Sequence, residues 1–126
     1  MSAKGTILVV DNESDQLDMM KKILGRMGYE ARITDNPGQA LKMVAEQAFQ
    51  LIIIDLIMPE TDGTELCEQI KRVRPSACVY AFSGHVHLYR AERLARAGFD
   101  GTITKPATMQ ELQRALNRAM AALPVS

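Results

Sequence analysis

Apolar residues along this chain fall into two patterns, and the two alternate. Thr6-Ile-Leu-Val-Val10 and Leu51-Ile-Ile-Ile54 are continuous apolar runs. They are too short for helices and too unbroken for half-exposed strands, so they predict strands covered on both faces. Tyr29 to Thr34 alternates weakly and predicts an exterior strand, while Ala77-Cys-Val-Tyr-Ala-Phe82 and Gly101-Thr-Ile-Thr104 predict a fourth and a fifth. Between the strands the spacing becomes helical. Leu17, Met20, Leu24 and Met27 recur on one face until Gly28, with Asn12 or Ser14 as the expected cap. Asp35-Asn36-Pro37 opens a second helix whose expected buried face holds Leu41, Val44, Ala45 and Ala48. Leu66, Ile70 and Val73 mark a third helix, ended by Pro75, and Tyr89, Ala91, Leu94 and Ala95 a fourth, ended by Gly98. Thr108-Met-Gln-Glu111 is a capping box for the last helix, with Leu112, Ala115, Leu116 and Ala119 on its apolar face and Pro124 near its end.

Strands alternating with helices through short connections call for an α/β fold, a parallel sheet with helices on both faces and right-handed crossovers. No internal repeat, low-complexity tract or linker interrupts the pattern, so residues 1–126 are expected to form a single domain.

Composition narrows the function. Hydrophobic residues make up 47% of the 126 and charged ones 24%, which is ordinary for a globular chain and excludes disorder. Fifteen basic residues balance fifteen acidic ones, so the sequence-wide positive field of a nucleic-acid or membrane-surface binder is missing, and neither partner is expected. Arg90, Arg93 and Arg96 in the fourth helix, and Arg114 and Arg118 in the fifth, read first as solvated faces. Cys67 and Cys78 have no metal-ligand spacing and read as small reduced core residues, and the methionines read as core filler. No basic-then-apolar leader precedes the first strand and no apolar run approaches the ~20 residues that cross a bilayer, so a cytoplasmic location is expected.

The informative residues are the polar ones that end the apolar runs. Asp11, Asp55, Ser83 and Lys105 follow the first, third, fourth and fifth strands, and in a parallel sheet those ends share one edge, where open α/β sheets bind ligands. Two carboxylates, a hydroxyl and an ammonium gathered there could hold a hard cation and present a nucleophile.

The segments V-V-D-N-E, I-I-I-D-L-I-M-P-E-T-D-G, F-S-G and T-K-P resemble, in order and over the whole chain, the receiver domain of two-component response regulators. The resemblance implies a flavodoxin-like sheet of order 2-1-3-4-5. It implies that Asp55 accepts a phosphoryl group from a sensor histidine kinase, a phosphotransfer protein or a small phosphodonor. It implies a Mg²⁺ ion held by Asp55, the side chain of Asn12, the backbone carbonyl of Ile57 and, mainly through water, Asp11. Lys105 would pair with the acceptor and then with the phosphoryl oxygens, its bond to Pro106 being cis. Ser83 and Gly84 would bind the phosphoryl group and switch the loop after the fourth strand, altering the surface of the fourth helix and fifth strand. A homodimer on that side is left open.

The chain departs from the family at several of these places. Asn12 stands where a second acid is usual, which removes a negative charge and predicts weaker Mg²⁺ binding than in an Asn12→Asp variant. Glu13 could supply an accessory carboxylate, but the reading favoured by its position is an acid at the first turn of a helix. Thr102 stands where many relatives carry an aromatic switch residue, and Ala107 replaces the aromatic often found after K-P. Ile57 and His85 border the pocket at positions that govern water access, whereas His87 reads as a solvated loop residue. An apolar Ile57 predicts slow hydrolysis of the phosphorylated form. Other classes fit less well. A phosphohydrolase of the haloacid dehalogenase type wants an Asp where Ile57 stands, and a nucleotide or flavin module wants a glycine-rich phosphate loop that the chain lacks. A degenerate receiver that docks partners without phosphorylation is the main alternative. Such a switch would not be an enzyme in the turnover sense.

Overall fold

The central runs become strands because their side chains can be buried on both sides of a sheet. In the computed structural model, which describes residues 5–59, 61–84, 89–105 and 107–121, Thr6–Val10 (β1) and Leu51–Ile54 (β3) lie side by side, and Leu51 to Ile54 are all 0% exposed. Glu30–Thr34 (β2), Val79–Ser83 (β4) and Gly101–Thr104 (β5) complete a parallel sheet of order β2-β1-β3-β4-β5. This is the flavodoxin-like order expected. Its helices are Ser14–Arg26 (α1), Pro37–Glu46 (α2), Gly63–Val73 (α3), Ala91–Ala97 (α4) and Met109–Ala121 (α5).

Alternation along the strands feeds two cores. Leu8, Val10, Ile52, Ile54, Val79 and Ala81 face α2, α3 and α4, packing on Val44, Leu66, Ile70 and Leu94. Ile7, Val9, Leu51, Ile53, Tyr80 and Ile103 face α1 and α5, packing on Leu17, Met20, Leu24, Leu112 and Leu116. Each fully buried Val, Leu or Ile side chain among them contributes about 1.5–3 kcal/mol. Cys67 and Cys78 are free, buried thiols, and burial pushes the Cys67 thiol up to about 12.

Capping follows the residues in most places. Asn36 Oδ1 accepts from the Gln39 amide and Pro37 opens α2, while Thr108 and Glu111 form the expected box, Glu111 N donating to Thr108 Oγ1 at 3.0 Å. Gly98 takes φ +109°, the left-handed turn that ends α4.

Four local expectations are corrected. Neither Asn12 nor Ser14 caps α1; Glu13 is the N-cap residue and makes no side-chain capping bond. In α2, Ala45 is exposed and Ala48 lies past the helix, because the helix stops at Glu46 and the buried face is carried by Ala40 and Val44. Val73 is 47% exposed in the last turn of α3, where the stripe Leu66, Cys67, Ile70 has already run off the sheet. Tyr89 precedes α4, and Ala95 is exposed; Leu94 and Ala97 are its buried contacts. Pro106 and Pro124 lie outside the described residues.

Candidate functional site

Strand register decides which side chains meet. Val10 is level with Ile54 across the β1–β3 ladder, so Asp11 and Asp55 leave the sheet together. Ser83 is level with Thr104 across β4–β5, so Lys105 emerges one residue beyond the hydroxyl. The ladder also holds the residues just past the strand ends. The Asp55 amide donates to the Val10 carbonyl (2.9 Å), that of Asp11 to Thr34 (3.2 Å) and that of Lys105 to Ser83 (3.1 Å).

On this rim Lys105 Nζ donates to Asp11 Oδ2 at 2.7 Å and lies 3.8 Å from Asp55 Oδ2. The ammonium also stands over the Phe82 ring, 5.3 Å from its centroid. Asp11 and Asp55 are almost wholly buried, and Ser83 is 0% exposed and hydrogen-bonds the Asp55 carboxylate. The Ile57 amide donates to Asp55 Oδ1 at 3.3 Å. Burial holds the Asp55 carboxyl above the usual range; Lys105 pulls it down, the Asp11 charge pushes it up, and the bonds from Ile57 and Ser83 lower it again.

Of the other residues singled out from the sequence, Ile57 is 43% exposed two residues after Asp55 and bridges to Asp62, and Gly84 is exposed. Asn12 is exposed and lines a cleft of about 300 Å³ with Asp35, Asn36, Pro37, Met58 and Pro59, none of them a rim residue. Glu13 joins the rim: one carboxylate oxygen from each of Asp11, Glu13 and Asp55 lies within 4.8 Å of the other two. His85 and His87 lie outside the described residues.

Two contributors were not singled out from the sequence. Phe82 was read only as a strand residue, although its place immediately before Ser83 puts it on the opposite face of β4, towards α1 and α5. Gly63 packs against the backbone of Asp55, where a Cβ would come within 2.5 Å of the Asp55 carbonyl oxygen. A D-G dipeptide signals a turn in any sequence, but it carries no sign of this approach. Asp62, its neighbour, caps α3 through the Thr64 amide (2.8 Å) and accepts from the Tyr89 hydroxyl (3.1 Å), tying the start of α4 to the loop behind Asp55.

The family model of the response regulator receiver domain matches residues 7–117. The chain belongs to this family. The receiver is similar to the DNA-binding transcriptional regulator NtrC of Azospirillum brasilense, at 34% identity over 95% of this chain and 25% of that protein. It thus spans about a quarter of the length of this relative. Among solved structures it is similar to a CheY-like receiver domain protein from Methanospirillum hungatei, with a TM-score of 0.83, 29% identity and coverage of 92% of this chain and 93% of that one. It is also similar to the response regulator TrrA of Thermotoga maritima in complex with Mg²⁺ and BeF, with a TM-score of 0.82, 28% identity and coverage of 94% and 99%.

Receiver domains bind Mg²⁺ at an acidic pocket, and the donor set on this rim suits such an ion. Its side-chain donors are oxygens, the ligands a small hard cation prefers, and no soft thiolate or imidazole is near them among the described residues. Among the described residues no helix is long and apolar enough to cross a membrane.

Proposed function

We propose that this receiver is a phosphorylatable switch whose acceptor is Asp55. The observation that carries the reading is the burial of Asp55 with Lys105 Nζ at 3.8 Å and Ser83 on the same carboxylate. An Asp55 carboxylate oxygen attacks the phosphorus of the donor, the acyl phosphate bond forms, and the bond to the donor nitrogen or oxygen breaks with its electron pair. Such a transfer needs alignment and neutralised charge more than covalent help. Asp55, Asp11 and the Ile57 carbonyl would hold Mg²⁺, which supplies charge neutralisation at the phosphoryl oxygens. Lys105 contributes a second positive charge from an ammonium held by Asp11 and the Phe82 ring, and the Ser83 hydroxyl exchanges the carboxylate for a phosphoryl oxygen.

The donor is a sensor histidine kinase, a phosphotransfer protein or a small phosphodonor, and the domain works in the cytoplasm without turning over a substrate of its own. The output is a changed surface at α4 and β5, read by a partner or an attached domain. Thr102 is exposed there and lines a hollow on each side of β5, one with Arg114 and Arg118 of α5 and one with Leu94 and Ala95 of α4. No aromatic ring occupies this position, so the readout runs through the loop and α4 rather than through a rotating side chain.

Incubation with Mg²⁺ and a small phosphodonor tests the assignment. The unaltered chain should gain the mass of one phosphoryl group, and the Asp55→Asn variant should gain none. A chain that stays unmodified, and shows no change with beryllofluoride, would leave the docking-domain alternative in its place.

Ile57 should lengthen the life of the acyl phosphate, because an apolar side chain beside the acceptor offers nothing to orient the attacking water. Dephosphorylation of the Ile57→Asn variant is expected to be severalfold faster when followed by decay of the phosphorylated mass. Equal or slower decay would refute this role.

A further inference from the structure

The loop between Asp55 and α3 is closed on itself. The Gly63 amide donates to the Leu56 carbonyl at 2.8 Å, and Ile57 and Asp62 form an antiparallel bridge, so the two ends of the loop are tied together. One end is held by Asp55, whose Oδ1 accepts from the Ile57 amide at 3.3 Å. At the other end the Asp62 carboxylate serves two helices, one oxygen each. Oδ1 accepts from the Thr64 amide and hydroxyl, both at 2.8 Å, and caps α3, while Oδ2 accepts from the Tyr89 hydroxyl at 3.1 Å, just ahead of α4. One helical turn beyond Tyr89, the Arg93 guanidinium donates to Thr64 Oγ1 at 2.9 Å. We propose that Tyr89 and Arg93 clamp α4 to the capped start of α3, and that a phosphoryl group on Asp55 acts on α4 by opening this clamp. The inference rests on the switch reading above and names the contacts that control its output surface.

The clamp is matched to the ionised carboxylate. In an acyl phosphate neither Asp55 oxygen is an anion: one bridges to phosphorus and the other is a carbonyl. The charge-assisted bond that fixes the Ile57 end of the loop therefore weakens whichever oxygen reacts, and the Asp62 end follows through the bridge. Tyr89 stands where this is felt. Burial and then the Asp62 bond push its hydroxyl up, and the Asp55 charge adds to the shift, so the hydroxyl stays a donor within the field of the group that changes. Its ring lines the hollow of about 390 Å³ between α4 and β5, beside Leu94, Ala95 and Thr102, so an opened clamp reshapes that face. The Arg93 pair with Glu68 joins exposed side chains and adds little by itself, whereas the buried Thr64 gives Arg93 a fixed anchor.

Calorimetric titration of beryllofluoride, a mimic of the phosphoryl group, at saturating Mg²⁺ reads the clamp through linkage. A contact that holds one arrangement weakens every ligand that needs the other, so removing it tightens that ligand. Tyr89→Phe keeps the ring and loses the hydroxyl, and is expected to bind beryllofluoride about three- to tenfold tighter than the unaltered chain. Arg93→Met should act in the same direction. Asp62→Ser keeps a capping oxygen for α3 and removes the partner of Tyr89, so in that background Tyr89→Phe should change the affinity by about twofold or less. Thermal unfolding confirms that each variant folds. A bond that merely steadies α4 would leave binding unchanged or weaken it when lost, and either result in Tyr89→Phe would overturn the inference and leave the switch intact. If the unaltered chain binds no beryllofluoride, the switch reading falls with it.

Discussion

Replacing Lys105 with methionine is expected to cost about 3 kcal/mol of stability at pH 7 in chelator, the scale for breaking a buried ion pair by removing one partner. Lys105 Nζ stands 2.7 Å from Asp11 and 3.8 Å from Asp55, whose side chains are 3% and 7% exposed. Without it two buried carboxylates face each other with no cation. The pH dependence follows from Asp55. Burial already holds its carboxyl above the ordinary range, and loss of the Lys105 charge raises it further. A carboxyl raised in the fold keeps its proton at a pH where the unfolded chain has released it, so the fold loses stability as pH rises between the two values. The deficit should be largest at pH 7 and shrink towards pH 4, near the unfolded value of 3.8. Urea unfolding of both proteins at the two pH values measures it, and a deficit equal at both would mean that Lys105 matters through packing alone. Mg²⁺ should return part of the stability at pH 7. Phosphoryl transfer should fall about 100-fold or more, as expected when a charge aimed at the transition state is removed.

Gly63→Ala should be nearly as damaging although it adds one methyl group. A Cβ there would lie 2.5 Å from the Asp55 carbonyl oxygen and 2.7 Å from Leu56 Cα, both backbone atoms that cannot swing aside. Either α3 moves away from the sheet or the Asp55 loop shifts, and overpacking of this kind costs about 1–3 kcal/mol. A fall in melting temperature of roughly 4–10 °C is expected, together with slower phosphorylation, because the displaced backbone carries Asp55. Gly25→Ala is the matching control. Nothing lies within 4 Å of a Cβ at Gly25, which sits exposed in α1, so that variant should be more stable by up to about 1 kcal/mol. Equal melting temperatures for the two variants would show that the close approach at Gly63 is relieved without cost.

Helix α4 shows how local pattern and packing part company. Its apolar spacing was legible, and so was its end at Gly98, because a left-handed turn needs a residue without a side chain. Its anchoring was not. Arg93 reads as part of a solvated basic face, yet its guanidinium donates to Thr64 Oγ1 at 2.9 Å and pairs with Glu68 at 3.3 Å across to α3. Which charged residue finds a partner depends on the neighbouring helix, and sequence spacing carries no record of that neighbour.

Strand and helix identities, the parallel character of the sheet and the gathering of Asp11, Asp55, Ser83 and Lys105 at one rim were all determined by the sequence alone. Continuous apolar runs can be buried only in the middle of a two-sided sheet, parallel strands share one carboxyl edge, and each run ends in a polar residue. Only the tertiary structure decided that Lys105 sits nearer Asp11 than Asp55, that Phe82 and Gly63 support the rim, and that a Glu13 carboxylate oxygen lies within 4.8 Å of those of Asp11 and Asp55. Adjacent residues beyond a strand end leave it in different directions, and the path of the loop that carries them is set by the packing of α1 and β3 on either side.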